Sequence, residues 1–266
     1  MIELSVRIER KRFPGAQADV LRALEFDARP GEFVSLVGPS GAGKTTLLNL
    51  VGGLDQEFEG EIRINGKRLS ARHKHPVRYG YMFQEPRLMP WLTVEDNVRL
   101  VLNAEKSAIE DAQRLIREVE LGGSEKAFPS QLSGGMQRRV ALARAFAVRP
   151  ALMLMDEPFI SLDIPTAARL REQLMNLWAE LRPTVLYVTH DLREALAVAD
   201  RVIFLSSGPA RVVKELPVNL ARPRDPFGEA VGDIHARLLR EHPDLLSGLA
   251  CDERDHNAAN AERRTA

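Results

Sequence analysis

The sequence predicts an α/β fold whose core carries an antiparallel β portion and an inserted α-helical region, and three stretches lead to it. Residues 32–37 (EFVSLV) read as a short apolar strand, residues 45–52 place Leu47, Leu48 and Val51 at helical spacing, and a glycine-rich loop joins the two. Residues 60–66 (GEIRING) alternate Ile62 with Ile64 and close on Asn65 and Gly66, the mark of an antiparallel hairpin. Residues 94–148 are mainly helical in pattern and precede another apolar strand at 151–156.

The loop at 38–46 (GPSGAGKTT) fits G-x-x-x-x-G-K-[ST], the phosphate-binding P-loop. Gly38, Gly41 and Gly43 let the backbone turn tightly enough for successive N–H groups to face one anion, with Pro39, Ser40, Ala42 and Thr46 completing the cradle. Because a helix begins at the loop's end, its dipole adds to those amides. Lys44 can reach β- and γ-phosphates, and the Thr45 hydroxyl can hold Mg²⁺.

Residues 2–10 alternate like a strand, and Phe13 comes next in a loop with Pro14 and Gly15, where it either stacks on a nucleotide base or covers a sheet edge. His73 and His75 flank Lys74 in a basic loop, and two histidines without a third ligand favour a solvated loop over a metal site. Residues 79–84 form a short strand ending at Gln84, and Pro86 and Pro90 make the stretch after it a loop. Thr93 and Asp96 suit a capping box for a helix starting near Val94. Ala112, Leu115, Ile116 and Val119 give a second amphipathic helix, stopped by Gly122 and Gly123.

Residues 132–139 (LSGGMQRR) open a helix whose apolar face is Val140, Ala143 and Phe146. Ser133, Gly134 and Gly135 at its start are either an ordinary N-cap or a second anion site. The strand at 151–156 ends in Asp156 and Glu157. After a P-loop these are placed to order Mg²⁺ and to orient or deprotonate a water, two roles that suit residues pointing in opposite directions. Asp163 is an expected N-cap, with Pro165 in the first turn, for a helix to Leu181 that packs Leu170, Leu174 and Trp178. Residues 184–189 are another apolar strand, and His190 at its end is a candidate γ-phosphate sensor or simply a polar terminus. Residues 201–205 and 211–216 read as edge strands, Ile234 and Leu238 as a last helix, and the stretch after Cys251 as a disordered tail.

Lys plus Arg equals Asp plus Glu at 37 each in 266 residues, so no net field argues for nucleic acid or an acidic membrane surface. No apolar run approaches the roughly 20 residues that span a bilayer. The N-terminus lacks a signal-peptide core, which predicts a cytoplasmic protein, and Cys251, the single cysteine, forms no internal disulfide.

Together these residues resemble the nucleotide-binding subunit of an ATP-binding cassette (ABC) transporter over roughly residues 2–225, and residues 132–137 are the specific element. The resemblance implies the P-loop NTPase fold of an ABC ATPase with its antiparallel β subdomain and inserted helical subdomain at about 85–150. It also implies one ATPase domain over 1–225 and a helical extension over 226–250. In that family Gln84 is the Q-loop glutamine, Asp156 and Glu157 end the Walker B strand, residues 161–163 form the D-loop, and His190 is the switch histidine. Phe13 falls at the family's base-stacking aromatic.

The same resemblance implies a head-to-tail homodimer that holds each ATP between one subunit's P-loop and the other's Ser133, Gly134 and Gly135. Lys44 then neutralises phosphate charge, Thr45, Asp156 and Gln84 serve Mg²⁺, Glu157 acts on water and His190 contacts the γ-phosphate. Residues 83–91 (FQEPRLMPW), 156–159 (DEPF), Arg222 and Arg224 are similar to the importers of nitrate, aliphatic sulfonates and taurine. Their partners are membrane permease subunits and an extracytoplasmic solute-binding protein, which places the chain on the inner face of the cell membrane. Ile160 and Ser161 stand where that branch usually has Gly-Ala, and residues 137–139 (QRR) are a variant order. An ATPase of an exporter or lipoprotein-release system is the nearest alternative. A soluble ABC ATPase on nucleic acid would bring a coiled coil, a zinc module or a second cassette, none of which the sequence contains.

Overall fold

The computed structural model describes residues 1–70, 75–102 and 107–245. His73, Cys251 and the expected tail lie outside the described residues. The chain divides into two compact units, residues 1–2 with 77–185 and residues 3–76 with 186 onward.

The second of these units begins with β1 (Leu4–Lys11), β2 (Leu21–Ala28), β3 (Phe33–Val37), α1 (Lys44–Val51), β4 (Glu59–Ile64) and β5 (Lys67–Arg68). Four strands make an antiparallel sheet in the order β2-β1-β4-β5. Val6 lies opposite Phe26 on one side and Ile62 on the other, so alternate apolar residues line one buried face. The expected hairpin forms: Asn65 and Gly66 take φ of 51° and 73°, the left-handed pair that a two-residue connection needs. β2 was not expected from the sequence. The burial alternation of β1 and β2 breaks where Ala23 takes φ of 48° and the β1–β4 register shifts between Ile8 and Arg10, which hides the period of two.

The other unit holds β6 (Tyr79–Met82), α2 (Val94–Arg99), α3 (Ser107–Glu118), α4 (Gly134–Ala147), β7 (Leu152–Asp156) and α5 (Ile164–Leu181). β6 and β7 pair in parallel, with Met82 opposite Met155. The helix starts are set by their capping residues. The Thr93 hydroxyl accepts from Asp96 N and donates to the Asp96 carboxylate, and the Asp163 carboxylate accepts from Thr166 N at 3.0 Å. Ala112, Leu115, Ile116 and Val119 of the α3 stretch, and Leu170, Leu174 and Trp178 of α5, are all buried as the spacing predicts. Asn97 is fully buried and staples the loop before α2. Its Oδ1 accepts from Met89 N at 2.8 Å, and its Nδ2 lies 3.0 to 3.1 Å from the carbonyls of Met89, Leu92 and Thr93.

The chain then runs through β8 (Thr184–Thr189), α6 (Leu192–Val198), β9 (Arg201–Leu205), β10 (Val212–Pro217) and α7 (Glu229–Glu241). In the unit that contains β3, the strand order is β10-β9-β3-β8, with β3 and β9 parallel. β10 is an edge as expected, but β9 is not, because it lies between β10 and β3. Its Val202, Ile203, Phe204 and Leu205 are completely buried, the continuous apolar run of a strand covered on both faces. Arg222 donates to Asp200 Oδ1 and Val198 O, and Asp200 Oδ2 accepts from Phe33 N, so this late arginine secures the start of β3. Arg224 donates to Leu196 O and Ala199 O at the end of α6, and burial, followed by the Arg222 charge, pushes its pKa down to about 10. No helix among the described residues is long and apolar enough to cross a membrane.

Replacing Asn97 by Ala leaves the half-buried Met89 N and the carbonyls of Met89, Leu92 and Thr93 without that acceptor and donor. The expected cost is about 2 to 4 kcal/mol of unfolding free energy, read by urea titration, with proteolysis appearing first in residues 85–92. An unchanged midpoint would remove Asn97 from this role.

Candidate functional site

The loop at 38–46 turns on its glycines. Gly41 and Gly43 take φ of 79° and 84°, and Gly43 stands as the N-cap of α1 without any side-chain cap hydrogen bond. No acidic residue occupies the first turn of α1, so no carboxylate of that turn offsets the positive end of its dipole. A Cβ at Gly43 would lie 2.7 Å from Val20 Cγ1 and 2.8 Å from Leu21 Cδ2, and one at Gly38 would lie 3.1 Å from Leu205 O. Only glycine lets this backbone lie so close to its neighbours.

Lys44 is 5% exposed, and its ammonium donates to Gly38 O at 2.9 Å and Pro39 O at 2.8 Å. Those two bonds fix a flexible four-carbon stem with its charge at the mouth of the loop. Thr45, the next residue of α1, is exposed. The cradle that a Cβ would fill, the amides and the held cation together fit a polyphosphate.

In the same unit, Phe13 is 43% exposed, and Lys11 Nζ sits 4.7 Å from its ring centroid. Lys11 is itself 1% exposed and paired with Asp55 at 2.7 Å. Burial, the largest single influence, works to raise the Asp55 carboxyl, but the Lys11 hydrogen bond and charge together with the backbone amides of Glu57 and Gln56 outweigh it, so Asp55 lies below its ordinary value. One side of the ring is thus held by an ion pair while part of the ring remains open. His190 is exposed at the end of β8. Glu194 sets that strand end, since its Oε2 accepts from Tyr187 Oη at 3.1 Å and Thr189 Oγ1 at 3.2 Å, and Thr189 Oγ1 accepts from Asp191 N at 3.0 Å.

The other unit brings Gln84 and Asp156 to one end of a strand pair. Met82 and Met155 are opposed, Asp156 ends β7, and Gln84 lies two residues beyond β6. Asp156 is 4% exposed, and the Tyr81 hydroxyl is held well above the usual tyrosine range by burial first and by the Asp156 charge second. A buried carboxylate and a carboxamide oxygen are hard oxygen donors of the kind that Mg²⁺ takes, so Asp156 and Gln84 fit that ion chemically. Glu157 is half-buried and takes φ of 44°, and Ser161 takes 60°, left-handed values that cost about 1 to 3 kcal/mol each in a non-glycine residue. A sharp left-handed step at Glu157 turns its side chain away from the direction that a regular strand would give it.

Ser133 and Gly134 are exposed at the start of α4, and the Ser133 hydroxyl accepts from Met136 N at 3.2 Å. A Cβ at Gly135 would lie 2.5 Å from Thr166 Cγ2, so glycine is what lets α4 and the start of α5 meet. Sequence reasoning missed the residues that hold these loops. Arg138 donates to Gln84 O, Pro158 O and Ile160 O, and Arg144 donates to Pro86 O and Arg87 O. Burial lowers the pKa of both guanidiniums from the ordinary arginine value. No local signal marked them, because α4 also carries Gln137 and Arg139 and the carbonyls that these guanidiniums reach lie 20 to 58 positions away.

A family model described as ABC transporter matches residues 21–160. The aliphatic sulfonates import ATP-binding protein SsuB of Bacillus thuringiensis subsp. konkukian (strain 97-27) is 40% identical over 85% of this chain and 90% of that protein. SsuB 2 of Burkholderia cenocepacia (strain HI2424), named in the same way, is 41% identical over 89% of this chain and 86% of that protein. Among solved structures, the dimeric post-hydrolysis state of the ATP-binding cassette MJ0796 bound to ADP and Pi has a TM-score of 0.70 at 31% identity. That match covers 83% of this chain and 100% of that one.

Gly43→Ala places a methyl group against Val20 and Leu21 at a left-handed φ. The expected result is a loss of about 1 to 3 kcal/mol of stability together with weaker ATP binding, checked by thermal melting and nucleotide titration. Wild-type values in both would mean that the loop does not depend on this close approach.

Proposed function

The chain belongs to the ABC transporter family, and on that premise we propose that it is the ATP-hydrolysing subunit of an importer for solutes of the aliphatic-sulfonate type. The observation that carries the ATP chemistry is the start of α1, where a loop with two left-handed glycines ends in a helix turn without side-chain cap or acid, behind the fixed Lys44. Likeness to import proteins along nearly the whole chain supports the direction of transport and the solute class.

The chain's own residues divide the work. The amides of residues 38–46 and the Lys44 ammonium bind the triphosphate, and Phe13 stacks on the base with Lys11 behind it. Thr45, Gln84 and Asp156 would hold Mg²⁺, which when bound offsets the charge of the β- and γ-phosphate oxygens. Glu157 orients the attacking water and takes its proton as general base, and His190 contacts the γ-phosphate. Ser133, Gly134 and Gly135 close over the nucleotide of a second copy in a head-to-tail homodimer. Each site is then complete only when two chains meet, so ATP binds the closed dimer more tightly than the open one, and that difference is the switch.

A separate membrane permease holds the chain at the inner face of the membrane and turns closure into transport, with a solute-binding protein acting on the far side. Nucleic acid is not among the partners.

In Glu157→Gln the carboxamide cannot accept the proton of water. ATP affinity is expected to hold while turnover falls about a hundredfold or more and dimer accumulates, as read by phosphate release and light scattering. Normal turnover would remove Glu157 from its role. The same variant, tagged, loaded with Mg-ATP in the membranes of its source and purified, should retain a multi-span permease identifiable by mass spectrometry. Recovery of soluble or nucleic-acid-associated partners alone would overturn the transport reading and leave the ATP chemistry standing.

A further inference from the structure

Residues 157–161 form a turn in which Glu157 and Ser161 are both left-handed. Ile160 N donates to Glu157 O at 3.2 Å, and Leu162 N, just past the turn, donates to Phe159 O at 3.3 Å, both at the long end of the hydrogen-bond range. A side chain from α4 adds to this hold. Arg138 Nη1 donates to Pro158 O at 3.1 Å and Nη2 to Ile160 O at 2.8 Å, one carbonyl directly after Glu157 and one directly before Ser161. The same Nη1 donates to Gln84 O at 3.0 Å.

We propose that Arg138 is a positioning residue for ATP hydrolysis: one half-buried guanidinium ties the backbone of Gln84 to the turn of Glu157, so that the metal-side and water-side loops move as one body. This rests on the roles proposed for Gln84 and Glu157. The chemistry selects arginine. Its planar fork offers five N–H donors in fixed directions, whereas lysine supplies a single point charge and a glutamine amide two donors on a shorter stem. Bonds from a charged donor are roughly twice as strong as neutral ones, enough to hold left-handed residues that would otherwise relax. Once they relax, the Glu157 carboxylate swings, and a displacement of about 1 Å at a reacting group costs on the order of a hundredfold in rate.

The test compares full-length wild type, Arg138→Ala and Arg138→Lys by steady-state ATP hydrolysis, equilibrium ATP binding and amide hydrogen exchange. In Arg138→Ala, kcat is expected to fall about ten- to a hundredfold while the ATP dissociation constant stays within about twofold. Arg138→Lys should recover part of kcat. Exchange should quicken in residues 83–87 and 159–162 together while α4 stays protected. An unchanged kcat would overturn the proposal. So would loosening of one segment without the other, or general loss of protection through α4, which would make Arg138 a helix-packing residue. Exchange requires no turnover, so if the wild-type chain failed to hydrolyse ATP, the ATPase reading would fall while paired loosening of the two segments still decided the tie.

Discussion

The constraint on which this chain depends is that the residues proposed for its chemistry stand where strands stop. A strand that ends abruptly leaves carbonyls and amides without ladder partners, and buried backbone groups must find others. Each junction here finds them in a particular side chain. After β6 and β7 the donors are Arg138, Arg144 and Asn97, whose bonds converge on the loop carbonyls of Gln84, Pro86, Arg87, Met89, Pro158 and Ile160. After β8 the device is an acceptor, the Glu194 carboxylate, with Asp191 capping the first amides of α6. Between β3 and α1 no side chain caps the helix. The loops after β6, β7 and β8 are tied by side chains from other elements, and the loop at 38–46 by its own Lys44, which donates to Gly38 O and Pro39 O.

What could be read from the sequence was what is decided within about four residues. The glycine pattern at 38–46, the Thr93 and Asp163 caps, the hairpin at Asn65 and Gly66 and the apolar spacing of α5 all depend on near neighbours, and each has its expected structure. β2 escaped because a left-handed Ala23 interrupts the alternation that announces a strand. β9 was misread as an edge because its neighbours are fixed by sheet order, a long-range fact, although its unbroken Val-Ile-Phe-Leu run is the composition of an inner strand. Among the residues of the candidate site, the positions at strand and helix ends were legible and the residues that hold those loops were not. Arg138 lies 54 positions from Gln84 and 22 from Ile160, and nothing local marks a residue whose partners are that distant.

The two places where the sequence leaves the pattern of nitrate, sulfonate and taurine importers meet in the structure. One is the order of residues 137–139, the other the pair Ile160 and Ser161, and the bond from Arg138 to Ile160 O joins them. A glycine at 161 would lower the conformational cost of the left-handed φ of 60° there, whereas Ser161 gives the chain no such relief. A turn built from ordinary residues must therefore be held from outside, and a guanidinium that reaches the carbonyls on both sides of Phe159 does so. Either departure alone would be a local oddity: a strained turn without a holder, or a half-buried cation without acceptors. In combination, strain and holder account for each other. The cost of the turn then goes into keeping Glu157 off the line of its strand, as the role proposed for its carboxylate requires.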